Sequence, residues 1–362
     1  MKSIRSLSLA AIVSLIVACG GNDDQQYSTL VSFGDSLSDV GSYSVSTIAT
    51  VGGGKYTVNG SGNLVWVELL AARVRTAAPC AAQTGLESLP PLSASIPPAP
   101  ITNRAGCHAY AQGGARVTNP IGPDNKAISQ LGQITDPVVN QIDRHLATVG
   151  GKFRGDELVT VLAGGNDVFM NLATINAVVA AATAAPGATP ASIGAAAQAA
   201  SATALTAMGT AGTELATYVK TRLVANGAAR VVVLNLPDVS VTPFALTLDA
   251  PTQALINQMS TTYNAQLAAG LSGASNVLLV DAYTVFRDQI ANPAKYGLSN
   301  VTTPACDLTK TIIPTSLVCT ATTLIAGDTS RFQFSDPVHP TPYGHQLIFH
   351  GAVSEMIRVG WL

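Results

Sequence analysis

Four short runs carry apolar residues one after another with little polar alternation: residues 29–33, 158–162, 230–236 and 277–281. A strand with one wet face alternates, so continuous Val, Ile and Leu indicate strands covered on both faces, as in parallel sheets. Longer stretches between them place apolar residues at helical spacing: 63–75, 128–148, 191–226, 251–271 and 342–359. Alternation of strand and helix predicts an α/β architecture.

Punctuation supports this reading. Thr341-Pro342 and Thr189-Pro190 each place a capping hydroxyl before a proline suited to the first helical position. The Ala- and Thr-rich segment 172–212, broken by "PGATP", predicts two packed helices joined by a turn, because alanine favours helix strongly. Two Pro-, Ser- and Thr-rich stretches, near 79–107 and 300–330, read as irregular excursions rather than boundaries, and no period of a repeat architecture is present. A single domain over residues 28–362 is the expectation.

With 362 residues, 47% of them hydrophobic, the chain has material for a large core. The first eighteen residues read as a secretory signal peptide: Lys2 and Arg5 precede an apolar run from Leu7 to Val17. That run is far short of the roughly 20 residues needed to cross a bilayer. Ile16-Val17-Ala18-Cys19 resembles the lipobox of bacterial lipoproteins, which makes Cys19 a candidate lipid anchor and residues 19–27 a tether. Without Lys2 and Arg5, 17 basic residues face 21 acidic ones, a mildly acidic chain with no signature of nucleic-acid binding. Setting Cys19 aside leaves Cys80, Cys107, Cys306 and Cys319, an even number that suits an oxidising compartment. Of three possible connectivities, pairing Cys80 with Cys107 and Cys306 with Cys319 is favoured, since each closes a local loop.

Chemistry concentrates in four stretches. In "VSFGDSLSDVGSY", Ser36 follows the first predicted strand, where open α/β sheets bind ligands, and it is expected to open a helix whose free N–H groups favour negative charge. A serine there is a helix cap unless a base activates it. "FSDPVHPTPYGH" supplies that partner: His339 to take the proton and Asp336, three residues earlier, to hold the imidazole tautomer. "VLAGGNDVF" follows another predicted strand and offers the Asn166 amide to an oxyanion. "YAQGGARV" offers the backbone N–H of Gly113 or Gly114, unobstructed by a side chain.

Together, in this order, the four stretches resemble the SGNH or GDSL hydrolase family over nearly the whole mature chain, most of all its bacterial secreted esterases, lipases and phospholipase-like members. The resemblance implies a flavodoxin-like three-layer αβα sandwich with a mainly parallel five-stranded sheet, its fifth strand expected near "RAGCHAYAQ". It makes Ser36 the nucleophile, Asp336 and His339 the rest of a triad, and Ser36, Gly114 and Asn166 the oxyanion hole. Ala109 stands where relatives often carry asparagine before "YA", which leaves Gly113 and Gly114 both open as donors, and Ser42 stands where "DVGN" is common.

The expected function is hydrolysis of carboxylic esters, with short-to-medium acyl chains or lipid esters, through an acyl-serine and without a cofactor or metal. A carbohydrate O-deacetylase using the same residues and a non-catalytic surface-binding lipoprotein are the alternatives. No serine lies in the G-x-S-x-G elbow of α/β-hydrolases, and the histidines show no HExxH spacing, His345 and His350 reading as ordinary helix residues. Only 23 residues follow His339, too few for the C-terminal β-barrel that some relatives carry, so lipid on Cys19 is the expected membrane attachment of an exported, periplasmic, surface or secreted protein.

Overall fold

The computed structural model describes residues 27–362; the signal segment, Cys19 and the tether up to residue 26 lie outside them. In chain order the elements are β1 (Leu30–Gly34), α1 (Ser46–Thr50), α2 (Trp66–Arg73), β2 (Gln83–Leu86), β3 (Ala99–Asn103), α3 (Val138–Thr148), β4 (Leu158–Leu162), α4 (Gly165–Ala184), α5 (Pro190–Tyr218), β5 (Arg230–Leu234), α6 (Pro243–Leu246), α7 (Ala250–Leu271), β6 (Val277–Val280), α8 (Ala282–Ala291) and α9 (Pro342–Arg358).

Strands β1, β4, β5 and β6 lie side by side in that order, all parallel, with Ser32 opposite Thr160, Thr160 opposite Val232 and Val232 opposite Leu278. The continuous apolarity of these strands has the cause inferred from the sequence: helices cover both faces. Val31, Phe33, Val159, Val161, Val231 and Val233 pack with Ile142 of α3, Leu172 of α4, Leu215 of α5 and Tyr263 of α7. The alternate residues Leu30, Leu158, Leu162, Val232 and Leu234 pack with Trp66 and Leu70 of α2 and with Ala352 and Met356 of α9. Each fully buried Val, Leu or Phe contributes about 1.5–3 kcal/mol over its exposed state, so the sheet is the main apolar store of the molecule.

The sheet has four regular strands where five were expected. The place of the fifth is taken by residues 108–112, next to β1: Ser32 donates to the His108 carbonyl, Tyr110 donates back to Ser32, and Gln112 donates to Gly34. Only a parallel bridge between Ser32 and Ala109 forms, because the Cys80–Cys107 disulfide holds the segment at one end and the turn at Gly113 and Gly114 diverts it at the other. The second disulfide joins Cys306 to Cys319.

Other differences have local causes. The helix expected from residue 128 begins only at Val138, since Gly132 and Thr135 take positive φ and Pro137 stands at the N-cap. The long Ala-rich helix α5 passes into a π turn over Val219–Leu223 before ending. Within the 79–107 excursion β2 and β3 form an antiparallel pair. Both predicted Thr-Pro caps form, Thr341 accepting from the N–H of Gly344 and Thr189 from that of Ser192. At the two ends of the described chain, the Tyr27 hydroxyl donates to the Trp361 carbonyl at 2.8 Å.

Candidate active site

Ser36 sits just beyond the carboxyl end of β1. The preceding Gly34 has φ +144°, and a Cβ there would lie 2.1 Å from the Leu162 carbonyl oxygen, so only glycine lets the chain leave β1 this close to β4. The Gln141 side chain of α3 clasps the same residue, accepting from Gly34 N–H and donating to Gly34 C=O, each at 2.8 Å. The helix expected to start at Ser36 is absent: residues 36–38 make one turn, closed by Ser38 N–H donating to Asp35 C=O. Among the described residues the Ser36 N–H has no partner, so the turn leaves it open as a helix end would have.

His339 comes from the loop before α9. Its Nε2 is 2.9 Å from Ser36 Oγ, and its Nδ1 is 2.8 Å and 3.0 Å from the two carboxylate oxygens of Asp336. Asp336 is buried and accepts three backbone N–H bonds, from Ser316, Val338 and His339. Burial alone would push its carboxyl upward, but the His339 imidazole and these donors hold it well below the usual carboxylate range. The Tyr56 ring lies against the imidazole, centroids 4.7 Å apart.

The two glycines differ in their partners. Gly113 N–H donates to the buried Asp39 carboxylate at 2.9 Å, whereas the N–H of Gly114 has no partner among the described residues. Gly113 packs so closely on Tyr56 that a Cβ would fall 2.2 Å from its hydroxyl, and Gly114 adopts φ +77°. Asn166, in the first turn of α4, donates from its amide to Ala115 C=O at 2.8 Å, and the next residue, Asp167, binds Arg116 Nε and Val117 N–H. These bonds fasten the glycine turn to the start of α4. The turn into α4 needs Gly164, at φ +122° against the Tyr263 ring.

Ser36, Asn166 and His339 line two cavities, one of about 290 Å³ that also touches Gly114 and Tyr56, and one of about 340 Å³ that runs under α8 and α9. Asp35 faces the larger; burial pushes its carboxyl up to about 7, against the pull of Leu37 N–H and His339. His345, fully buried on α9, is lowered to about 3 by burial, and His350 is exposed on the same helix. Among the described residues no group of three or more His, Cys, Asp or Glu is placed to hold a metal ion.

Of the six residues singled out in the four stretches, Ser36, Gly114, Asn166, Asp336 and His339 line one cavity, and Gly113 stands behind Gly114 on Asp39. Three residues that sequence reasoning passed over also act there: Tyr56 against the imidazole, Asp39 on Gly113, and Ser316 on Asp336. Asp39 had a signal, its place three residues after Ser36; Tyr56 and Ser316 had none in their own surroundings.

A sequence model of the GDSL-like Lipase/Acylhydrolase family matches residues 30–352. The chain is 36% identical over 126 residues to Esterase EstA of Pseudomonas aeruginosa, covering 33% of this chain and 19% of that protein. It is 30% identical over 131 residues to a GDSL esterase/lipase of Arabidopsis thaliana, covering 34% of this chain and 35% of the relative. A second plant GDSL esterase/lipase is 28% identical over 162 residues, 41% of this chain and 43% of its own length. The matches span less than half the length of each of these relatives. The chain belongs to the GDSL lipase/acylhydrolase family.

Proposed function

From that membership we propose that the protein is a serine esterase or lipase that hydrolyses carboxylic esters through an acyl-serine intermediate. The observation that carries this reading is the continuous hydrogen-bonded line from Ser36 Oγ through the His339 imidazole to the buried Asp336 carboxylate. Serine is a poor nucleophile until a base takes its proton, and an imidazole held by a carboxylate is suited to do so.

In the proposed sequence Ser36 Oγ attacks the ester carbonyl carbon as its proton moves to His339 Nε2. Negative charge gathers on the carbonyl oxygen, stabilised by the open N–H groups of Ser36 and Gly114 and by the Asn166 amide, which has one proton beyond its bond to Ala115. His339 then gives the proton to the departing alcohol, and water, activated by the same imidazole, releases the acid. Gly114 rather than Gly113 is the donor in this reading because Gly113 N–H is committed to Asp39.

We read residues 28–362 as one hydrolase domain of an exported protein, attached through lipid on Cys19. Both cysteine pairs being bridged suits an oxidising compartment. Small-molecule or lipid esters are the expected substrates, with no nucleic-acid partner.

The test is labelling by a fluorophosphonate probe with turnover of p-nitrophenyl esters. Ser36→Ala should lose the label and at least about 10⁴-fold in kcat. An unchanged label on that variant would refute the assignment.

A further inference from the structure

The larger cavity is a channel with one end at the reacting groups. It is lined at one part by Ser36, Asn166 and His339, by Leu236 after β5, by the edge-to-face pair Phe286 and Phe334, and by Val285, Leu347 and Ile348 of the two helices, and it extends to Ser354 and Glu355 near the surface. Its walls come from single stripes of two helices: Val285 and Gln289 at four-residue spacing on α8, and Leu347, Gly351 and Ser354 on α9. Val285 is exposed and Leu347 half-buried, and both border this cavity between the neighbouring helices.

Gly351 is the informative wall residue. It lies in the interior of α9, where glycine weakens a helix relative to alanine. Nothing in the backbone requires it: its φ is not positive. Nor does crowding, since a Cβ at 351 would meet no atom within 4 Å. Any side chain there would grow into the channel, so the one thing this glycine preserves is space. Among the described residues Gln289 is the second unusual feature of the wall, a residue 4% exposed whose amide has no hydrogen-bond partner.

We infer that this channel receives the acyl chain of the ester, with Gly351 keeping its bore open and Gln289 as the unpaired amide, set apart from Asp35 by the reacting groups, that sets which chains it accepts. The inference rests on the ester-hydrolase reading of Ser36 and His339 and deepens it by naming the side of the ester that gives selectivity. Each methylene taken from water into an apolar wall is worth about fourfold in binding, so a bore of this kind selects for length. A hydrocarbon laid against the unpaired amide of Gln289 forfeits part of that gain, and a chain carrying a hydroxyl at that depth recovers it.

The experiment measures kcat/KM for p-nitrophenyl esters of acetate, octanoate, dodecanoate and a hydroxylated octanoate, and in parallel for acetate esters of alcohols of increasing length. Gly351→Phe, and independently Val285→Trp from the opposite wall, are expected to lower the octanoate-to-acetate ratio about tenfold or more, the loss of roughly two methylenes. Gln289→Leu is expected to raise the ratio for saturated chains severalfold and to lower preference for the hydroxylated one. The inference is overturned if both bulky variants unfold at the wild-type temperature and keep the ratio within twofold. It is equally overturned if they change selectivity along the alcohol series instead. A wild-type protein that turns over no ester and takes no fluorophosphonate label refutes the reading of Ser36 itself, a result distinct from either.

Discussion

The loop that carries Asp336 and His339 and the outer part of the α4–α5 hairpin invert the usual relation between regularity and anchorage. The loop has only single helical turns, such as Ser316–Val318, yet its backbone is tied at every step: Ala305 N–H to Phe334, Cys306 N–H to Ser335, Ser335 N–H to His339, and three N–H groups to Asp336. The hairpin is regular helix apart from its turn at 185–189, yet none of its residues between Ile175 and Ala204 is buried, and no charged residue occurs between Asp167 and Glu214. A helix satisfies its own backbone and needs no neighbour to be well formed. A loop that must hold a side chain in place takes its order from groups elsewhere, here a buried carboxylate that collects backbone donors.

That difference predicts that substitutions at the loop are costly and those in the outer hairpin nearly silent. Asp336→Asn should have the largest effect, about 10⁴-fold in kcat, because the amide favours the wrong imidazole tautomer. Steady-state kinetics at saturating ester reads this, and a change in KM alone would break the comparison. Asn166→Ala, at the one end of the hairpin that reaches the site, should cost about 10²–10³-fold in kcat with little change in ester binding.

Two buried carboxyls sharpen the contrast further. Asp336, with three backbone donors and an imidazole, is drawn down, while Asp35, which accepts from the Leu37 N–H, is pushed up to about 7. A raised carboxyl binds its proton more tightly in the folded chain. Its contribution to stability is therefore present in acid and lost as pH rises from the ordinary carboxylate range through about 7, by at most about 1.4 kcal/mol per pH unit. In urea unfolding across pH 4–8 the stability difference between wild type and Asp35→Asn should shrink as pH rises, a comparison in which the opposite contribution of the buried His345 cancels. Smallest of all, Val178→Glu on the exposed outer face of α4 should leave stability within about 0.5 kcal/mol and ester turnover unchanged.

What could be read from the chain was local or repetitive. The run 158–162 is a strand residue for residue, the run 29–33 is offset from its strand by one position, and the other two overrun theirs by one or two at the carboxyl end, because a strand covered on both faces has few polar residues to mislead. The four chemical stretches were legible because each pairs a reactive residue with the glycine or proline that shapes its turn. Contacts made at a distance were hidden. Tyr56 is one of nine tyrosines, and nothing near it announces that its ring will meet an imidazole 283 positions later. Helix α8, ten residues long with only Gln289 buried, gave no periodic signal, since the face it would have buried borders the channel. The helix read from residue 128 failed where Gly132 and Thr135 take positive φ, a backbone choice that apolar spacing does not record.

The hydroxyl and the imidazole that meet in the site are separated by 303 positions, and the chain closes on itself where Tyr27 reaches Trp361. In the proposed reaction the proton acceptor is therefore translated after all six strands of the described residues. A nascent polypeptide holding Ser36 but not yet residue 339 carries an inert alcohol, so on the proposed mechanism the reaction is withheld from the growing chain until the loop before α9 docks against the turn after β1.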